Sequence, residues 1–131
     1  MNWVRSTSCF ANAPFTANTP VTLTNVSSQT AEELPSGAMI MEIYAHAGTT
    51  VASSSPATLQ VGYSGNNGAF LPSGAGCNNV TLNSGAMRFV APTSQQALTS
   101  SKILTMTSDE NCSSGQVQIV VTYVLWDELP Y

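Results

Sequence analysis

Residues 38–47 read AMIMEIYAHA, and side chains one apart fall on opposite faces of an extended chain. Met39, Met41, Ile43 and Ala45 share one face, while Ile40, Glu42, Tyr44 and His46 share the other. A helix would scatter this pattern, so the segment is expected to be a strand with one face in the core. The stretch ATLQVGY alternates in the same way, setting Leu59, Val61 and Tyr63 against Thr58, Gln60 and Gly62. VTLTNV places Val21 and Leu23 together. Shorter candidates lie at 79–82, 87–90 and 102–107, the last opposing Leu104 and Met106 to Ile103 and Thr105. The closing QVQIVVTYVLWD is apolar on both faces over 119–126, so it is expected to run through the middle of the fold.

Clusters of Gly, Pro, Ser and Asn separate these runs at intervals of roughly 8–15 residues, the spacing of a β-sandwich or barrel. LPSGA occurs at Leu34 and again at Leu71, and SGAM at Ser36 and Ser84. Proline presets φ and glycine accepts a positive one, so both repeats read as recurrent turn chemistry. In VGYSGNNGAF, Asn67-Gly68 following Ser64-Gly65 is hairpin chemistry. Its GxxGxxG glycines match no dinucleotide pattern, and no helix follows to hold a phosphate. The only helix candidates are the short stretches 30–34 and 93–101. Residues 1–18 disperse Trp3, Phe10 and Phe15 among Asn, Ala, Pro and Ser without either period. They are expected to form an extended N-terminal arm ahead of a single domain at 19–131.

Composition narrows the partners. Only 8% of the 131 residues are charged, against about a quarter in ordinary domains, and 43% are apolar. The net charge is -4, and Arg5, Arg88 and Lys102 are the only cations, too few for the phosphate contacts of nucleic-acid binding. An exterior with so few charges is weakly protected against association, which suits life inside an assembly. No export signal opens the sequence, and the longest apolar run is interrupted by Gln118, Thr122 and Tyr123, so no membrane span is expected.

Catalytic and ligand chemistry is sparse. His46 is the only histidine, and Glu42, four residues away on the same face, lies about 13 Å from it along a strand. It reads as a surface or interface residue rather than a general base. The pairs Glu32-Glu33, Asp109-Glu110 and Asp127-Glu128 read as solvated turn residues, with neither glycosidase geometry nor a calcium loop. Cys9, Cys77 and Cys112 lack the close pairs of a metal site. They are expected to be free thiols, with a Cys77–Cys112 disulfide as the alternative. Three Asn-x-Ser/Thr sequences, at Asn25, Asn79 and Asn111, are ascribed to chance in a chain so rich in these residues. No cofactor and no metal are expected, and no enzyme. A sugar-binding surface around Tyr44, Glu42 and His46 competes with a face packed against a second sheet or a partner.

A short, Ser/Thr/Gly-rich all-β chain with LQVGYSGNNGAF in its middle and GQVQIVVTYVLWD at its end resembles the small structural proteins of tailed bacteriophages, especially head decoration or cement proteins. The likeness spans residues 20–127 and rests on strand-and-turn patterns. It implies a jelly-roll-like antiparallel β-sandwich, a homotrimer, seated on the capsid exterior of a virion assembled in the host cytoplasm. The major capsid protein is the implied partner, with bridging of capsid subunits as the role. The alternative is a glycan- or receptor-binding module of a phage tail or fibre. Within this reading Trp3, Phe10 and Phe15 are the expected arm contacts to the capsid, and Tyr44, His46, Trp126 and Tyr131 the expected subunit interface.

Overall fold

The structure is a computed structural model that describes residues 4–53, 58–71, 88–90 and 97–125, with backbone alone for 47–53 and 88–90. Ten strands follow in order: β1 (Val4–Asn12), β2 (Val21–Thr22), β3 (Thr24–Asn25), β4 (Glu33–Leu34), β5 (Ala38–Ser53), β6 (Leu59–Tyr63), β7 (Asn66–Leu71), β8 (Arg88–Val90), β9 (Lys102–Ser108) and β10 (Cys112–Leu125). They form two antiparallel sheets, one ordered β3-β1-β10-β5-β8 and the other β2-β9-β6-β7, with β4 also on β9. The chain is an all-β sandwich. β10 lies at the centre of the first sheet, where a strand apolar on both faces belongs.

The pairing is nested: first strand with last, β2 and β4 with β9, β5 with β8, and β6 with β7. One core joins the two sheets. Cys9, Ala11, Ile43, Ala45, Val117, Ile119 and Val121 enter it from the first, and Leu59, Val61, Leu104 and Met106 from the second.

Alternation alone misplaces part of β5. Met39 and Met41 were expected to share a face with Ile43 and Ala45, yet the buried residues are Ala38, Ile40, Ile43 and Ala45, and Met41 is 48% exposed. A bulge explains this: Thr122 pairs with Glu42 while the next residue, Tyr123, pairs with Ile40. Met41 is the extra residue, and each bulge shifts the in-out phase by one. Both halves of the strand thereby bury their smaller apolar side chains.

The segment VTLTNV is also divided. Val21-Thr22 pairs with β9 in one sheet and Thr24-Asn25 with β1 in the other, so the chain crosses between sheets at the fully buried Leu23. The 30–34 helix candidate is extended, its Glu33-Leu34 being β4, and residues 97–101 of the other candidate are irregular. The first LPSGA is a turn as expected, with Gly37 at φ 89° and its N–H donating to Leu98 O. The second lies, beyond Leu71, outside the described residues, as do the strand candidate at 79–82, Cys77, Asn79 and Asp127-Glu128.

The expected arm is corrected by the sheet. Val4–Asn12 pairs residue for residue with β10, from Val4 opposite Val124 to Asn12 opposite Gln116. Downstream, Ala13 N–H donates to Gly115 O, Phe15 exchanges both backbone hydrogen bonds with Cys112, and Asn18 N–H donates to Ser108 O. Phe15, expected to anchor in a capsid subunit, is 3% exposed within the chain's own core. The arm reading failed because β1 is rich in Ser and Thr: only its inward Cys9 and Ala11 are buried, too few apolar residues to print a period of two.

The β6–β7 hairpin turns at Ser64-Gly65, with Gly65 at φ 95°, and not at Asn67-Gly68. Asn67 and Gly68 belong instead to an irregular stretch, because Val61 pairs with Leu71 and Tyr63 with Asn66, leaving four residues of β7 opposite Gly62. The backbone there lies over Gly62, so that a Cβ at this position would meet Asn66 O at 2.2 Å and Asn67 C at 2.6 Å. Gly62→Ala is therefore expected to cost about 3 kcal/mol, read as a lower denaturation midpoint at unchanged slope. Phe15→Ala empties a filled core position and is expected to cost roughly 3–5 kcal/mol. An arm residue would cost nothing in the free chain.

Candidate interaction surfaces

Glu32 is buried, 6% exposed, where the chain returns from the crossover at Leu23. Its Oε1 accepts from the Thr7 hydroxyl and, at 3.0 Å, from Asn25 Nδ2. The Asn25 amide also donates to Thr7 Oγ1 at 3.1 Å, while Asn25 Oδ1 accepts from Ser27 and Ser28 N–H, both at 2.9 Å. One asparagine thus closes a turn and ties β1, β3 and the Glu32 carboxylate together. Glu32, read from the sequence as a solvated turn acid, is corrected to a buried acceptor. The nitrogen that a glycan at Asn25 would need is already engaged.

The remaining groups are dispersed. Asp109 accepts from Thr58 N–H at 2.7 Å and from the Thr58 hydroxyl at 2.9 Å, fixing the entry to β6. Asn111 Oδ1 accepts from Ala17 N–H at 2.8 Å. Lys102 Nζ sits 4.8 Å from the centre of the Tyr63 ring, which meets Phe70 edge-on at 5.7 Å. Cys9 and Cys112 are buried free thiols. Among the described residues no three His, Cys, Asp or Glu side chains converge as a metal site requires, and no helix is long and apolar enough to cross a membrane.

The outer face of the first sheet gathers three of the sequence-selected residues. Phe10, Gln118 and His46 form one row across β1, β10 and β5. Ser8, Val120 and Tyr44 form the next, and Ser6, Thr122 and Glu42 the third, with Ser6 and Thr122 hydroxyls hydrogen-bonded at 3.2 Å. Phe10, Val120, Tyr44, Glu42 and His46 are half-buried by their neighbours, whereas Ser6, Ser8 and Gln118 are exposed. Tyr44 and His46 share this face as expected from alternation, and Phe10 joins them because β1 is part of the sheet. Trp3, Trp126 and Tyr131 lie outside the described residues. The Thr7–Asn25–Glu32 cluster was not legible, since its members are up to 25 residues apart and none has an unusual sequence context.

Burial, and secondarily the nearby Glu32 carboxylate, pushes the Cys9 thiol from 9.0 to about 12. A thiol held protonated in the fold but free to ionise on unfolding stabilises the native state fully below pH 9, and that contribution is lost as pH rises toward about 12. Unfolding free energy is expected to fall over this interval, and less steeply in Cys9→Ala, by denaturant titration at each pH. Cys9 is also expected to resist thiol reagents at neutral pH until the chain unfolds.

Comparison with known proteins places the fold. No family model and no curated protein matches the sequence. Among solved structures, a chain of the cyanophage Pam1 capsid asymmetric unit superposes with a TM-score of 0.62 at 18% identity, covering 93% of this chain and 84% of that one. A chain of the acid-stable capsid of Helicobacter pylori bacteriophage KHP30 gives 0.57 at 21% identity, over 92% and 88%. The capsid of Ralstonia phage GP4 gives 0.59 at 17%, over 92% and 84%. Chains taken from three phage capsids therefore share the fold of this protein nearly end to end.

Proposed function

We propose that this chain is a phage virion structural protein of the decoration or cement type, which binds the outside of the head and stabilises the shell by bridging capsid subunits. The observation that carries the reading is the near end-to-end likeness to chains of three phage capsids, each only slightly longer than this one. So small a unit suits an added subunit better than the protein that builds the shell. The nested strand pairing supports a jelly roll, a double-sheet architecture shared by many capsid proteins. A role in adhesion needs a rigid body with an exterior of low charge. Zipping the first strand to the last supplies the rigidity, and 8% charged residues supply the exterior.

In this reading the protein acts as a homotrimer on the major capsid protein, without cofactor or turnover. Exposed apolar side chains such as Val4 and Met41 are candidate contacts with the shell, alongside Phe10 and Trp3.

The deciding experiment mixes the purified protein with heads assembled without it. Saturable co-sedimentation and a higher temperature of particle rupture are expected. Failure to bind, with retention on host glycans that Tyr44→Ala abolishes, would replace this reading with the receptor-binding one.

A further inference from the structure

We infer that the outer face of the first sheet is a self-complementary contact, in which a second copy of this chain packs about a two-fold axis lying along the Ser8–Val120–Tyr44 row. The inference concerns contact between copies and stands whether or not the protein seats on a shell.

The argument begins with register. Ser8, Val120 and Tyr44 are directly opposite one another on β1, β10 and β5, so they form a straight row across the strands. A two-fold axis along that row reverses the strand direction and turns the face over, laying each row of one copy on the row equidistant on the other side. The row above contains Phe10, Gln118 and His46; the row below contains Ser6, Thr122 and Glu42. Rotation therefore sets His46 against Glu42 of the second copy, twice. It also sets the Gln118 amide against the Thr122 hydroxyl.

The central row carries no charge, and the like residues that meet there are a serine, a valine and a tyrosine. Within one chain Glu42 and His46 stand roughly 13 Å apart along β5, too far to meet each other. Association brings each a partner of complementary character, a carboxylate and an imidazole that donates to it. Any other registration of two copies about a parallel axis loses this match. Displacement by one row lays Glu42 on its own copy, carboxylate against carboxylate, or His46 on its own copy, and in neither case does the imidazole meet the carboxylate.

The nine side chains cover roughly 300 Å² of sheet plane, taking strand spacing and rise into account. That is well below a standard interface, so the contact forms at high local concentration, such as neighbouring copies on a common surface experience.

The test is cross-linking through a spacer of about 10 Å, the distance between packed sheets. Tyr44 lies on the axis, so Tyr44→Cys places two identical thiols across that distance. Phe10 lies off it, so Phe10→Cys thiols are separated by roughly 17 Å. With a bismaleimide of matching length and Cys77→Ser in every chain, Tyr44→Cys is expected to give covalent dimer well above the chain with native Tyr44, whose Cys9 and Cys112 are buried, and Phe10→Cys is not. Adding Glu42→Lys to Tyr44→Cys is expected to lower the dimer yield about ten-fold, because both carboxylate acceptors of the contact become ammonium donors facing an imidazole. Exchanging the two groups, Glu42→His with His46→Glu, is expected to restore it. Equal yields from Tyr44→Cys and Phe10→Cys, no yield above the chain with native Tyr44, or an exchange that does not restore pairing would each overturn the inference. None of these positions belongs to the core, and head binding is scored separately.

Discussion

The antiparallel pairing of β1 with β10 is the constraint on which the rest of the structure depends. It joins the beginning of the described chain to its end over nine consecutive residue pairs and makes β10 the middle strand of its sheet. Between these strands the pairs nest, β2 and β4 with β9, β5 with β8 and β6 with β7, while β5 on β10 and β6 on β9 complete the two sheets. Residues 13–18 then fold onto the β9–β10 connection, and Phe15 fills the end of the core. Contacts of such long sequence separation are slow to form, but they bury every long strand against two neighbours or the opposing sheet.

Local irregularities adapt this frame to the sequence. The extra residue at Met41 rephases β5 so that Ala38 and Ile40 face inward along with Ile43 and Ala45. The four-residue excursion of β7 over Gly62 uses the only side chain small enough to allow it. The Thr7–Asn25–Glu32 cluster gives a buried carboxylate hydrogen bonds from a hydroxyl and an amide. None of these devices is a reaction centre. Together they hold the first sheet in the register that brings Ser8, Val120 and Tyr44 into one row.

How much of this was legible depended on how many apolar residues each strand carried. β10, β6 and β9 carry enough apolar side chains to be read directly as strands, and the central position of β10 was expected from its apolar run over 119–126. β1 did not, because its outward side mixes Ser6, Ser8 and Asn12 with Val4 and Phe10, and its inward side is Thr7, Cys9 and Ala11. Of the candidate site, Tyr44, Glu42 and His46 were placed correctly on one face because β5 is regular over 42–46. Phe10 was assigned to an arm, and Ser8 and Val120 were not singled out, because their row exists only once three strands remote in sequence are in register.

The sequence by itself determined that the chain is built of strands, where most of its turns fall and that its exterior is nearly uncharged, because period, turn chemistry and composition are local properties. Only the tertiary structure decided which strands are neighbours, that residues 4–18 are part of the sandwich, and where β5 slips by one residue. Those follow from hydrogen bonds and packing between segments up to a hundred residues apart, and no local pattern records which distant partner a strand will find.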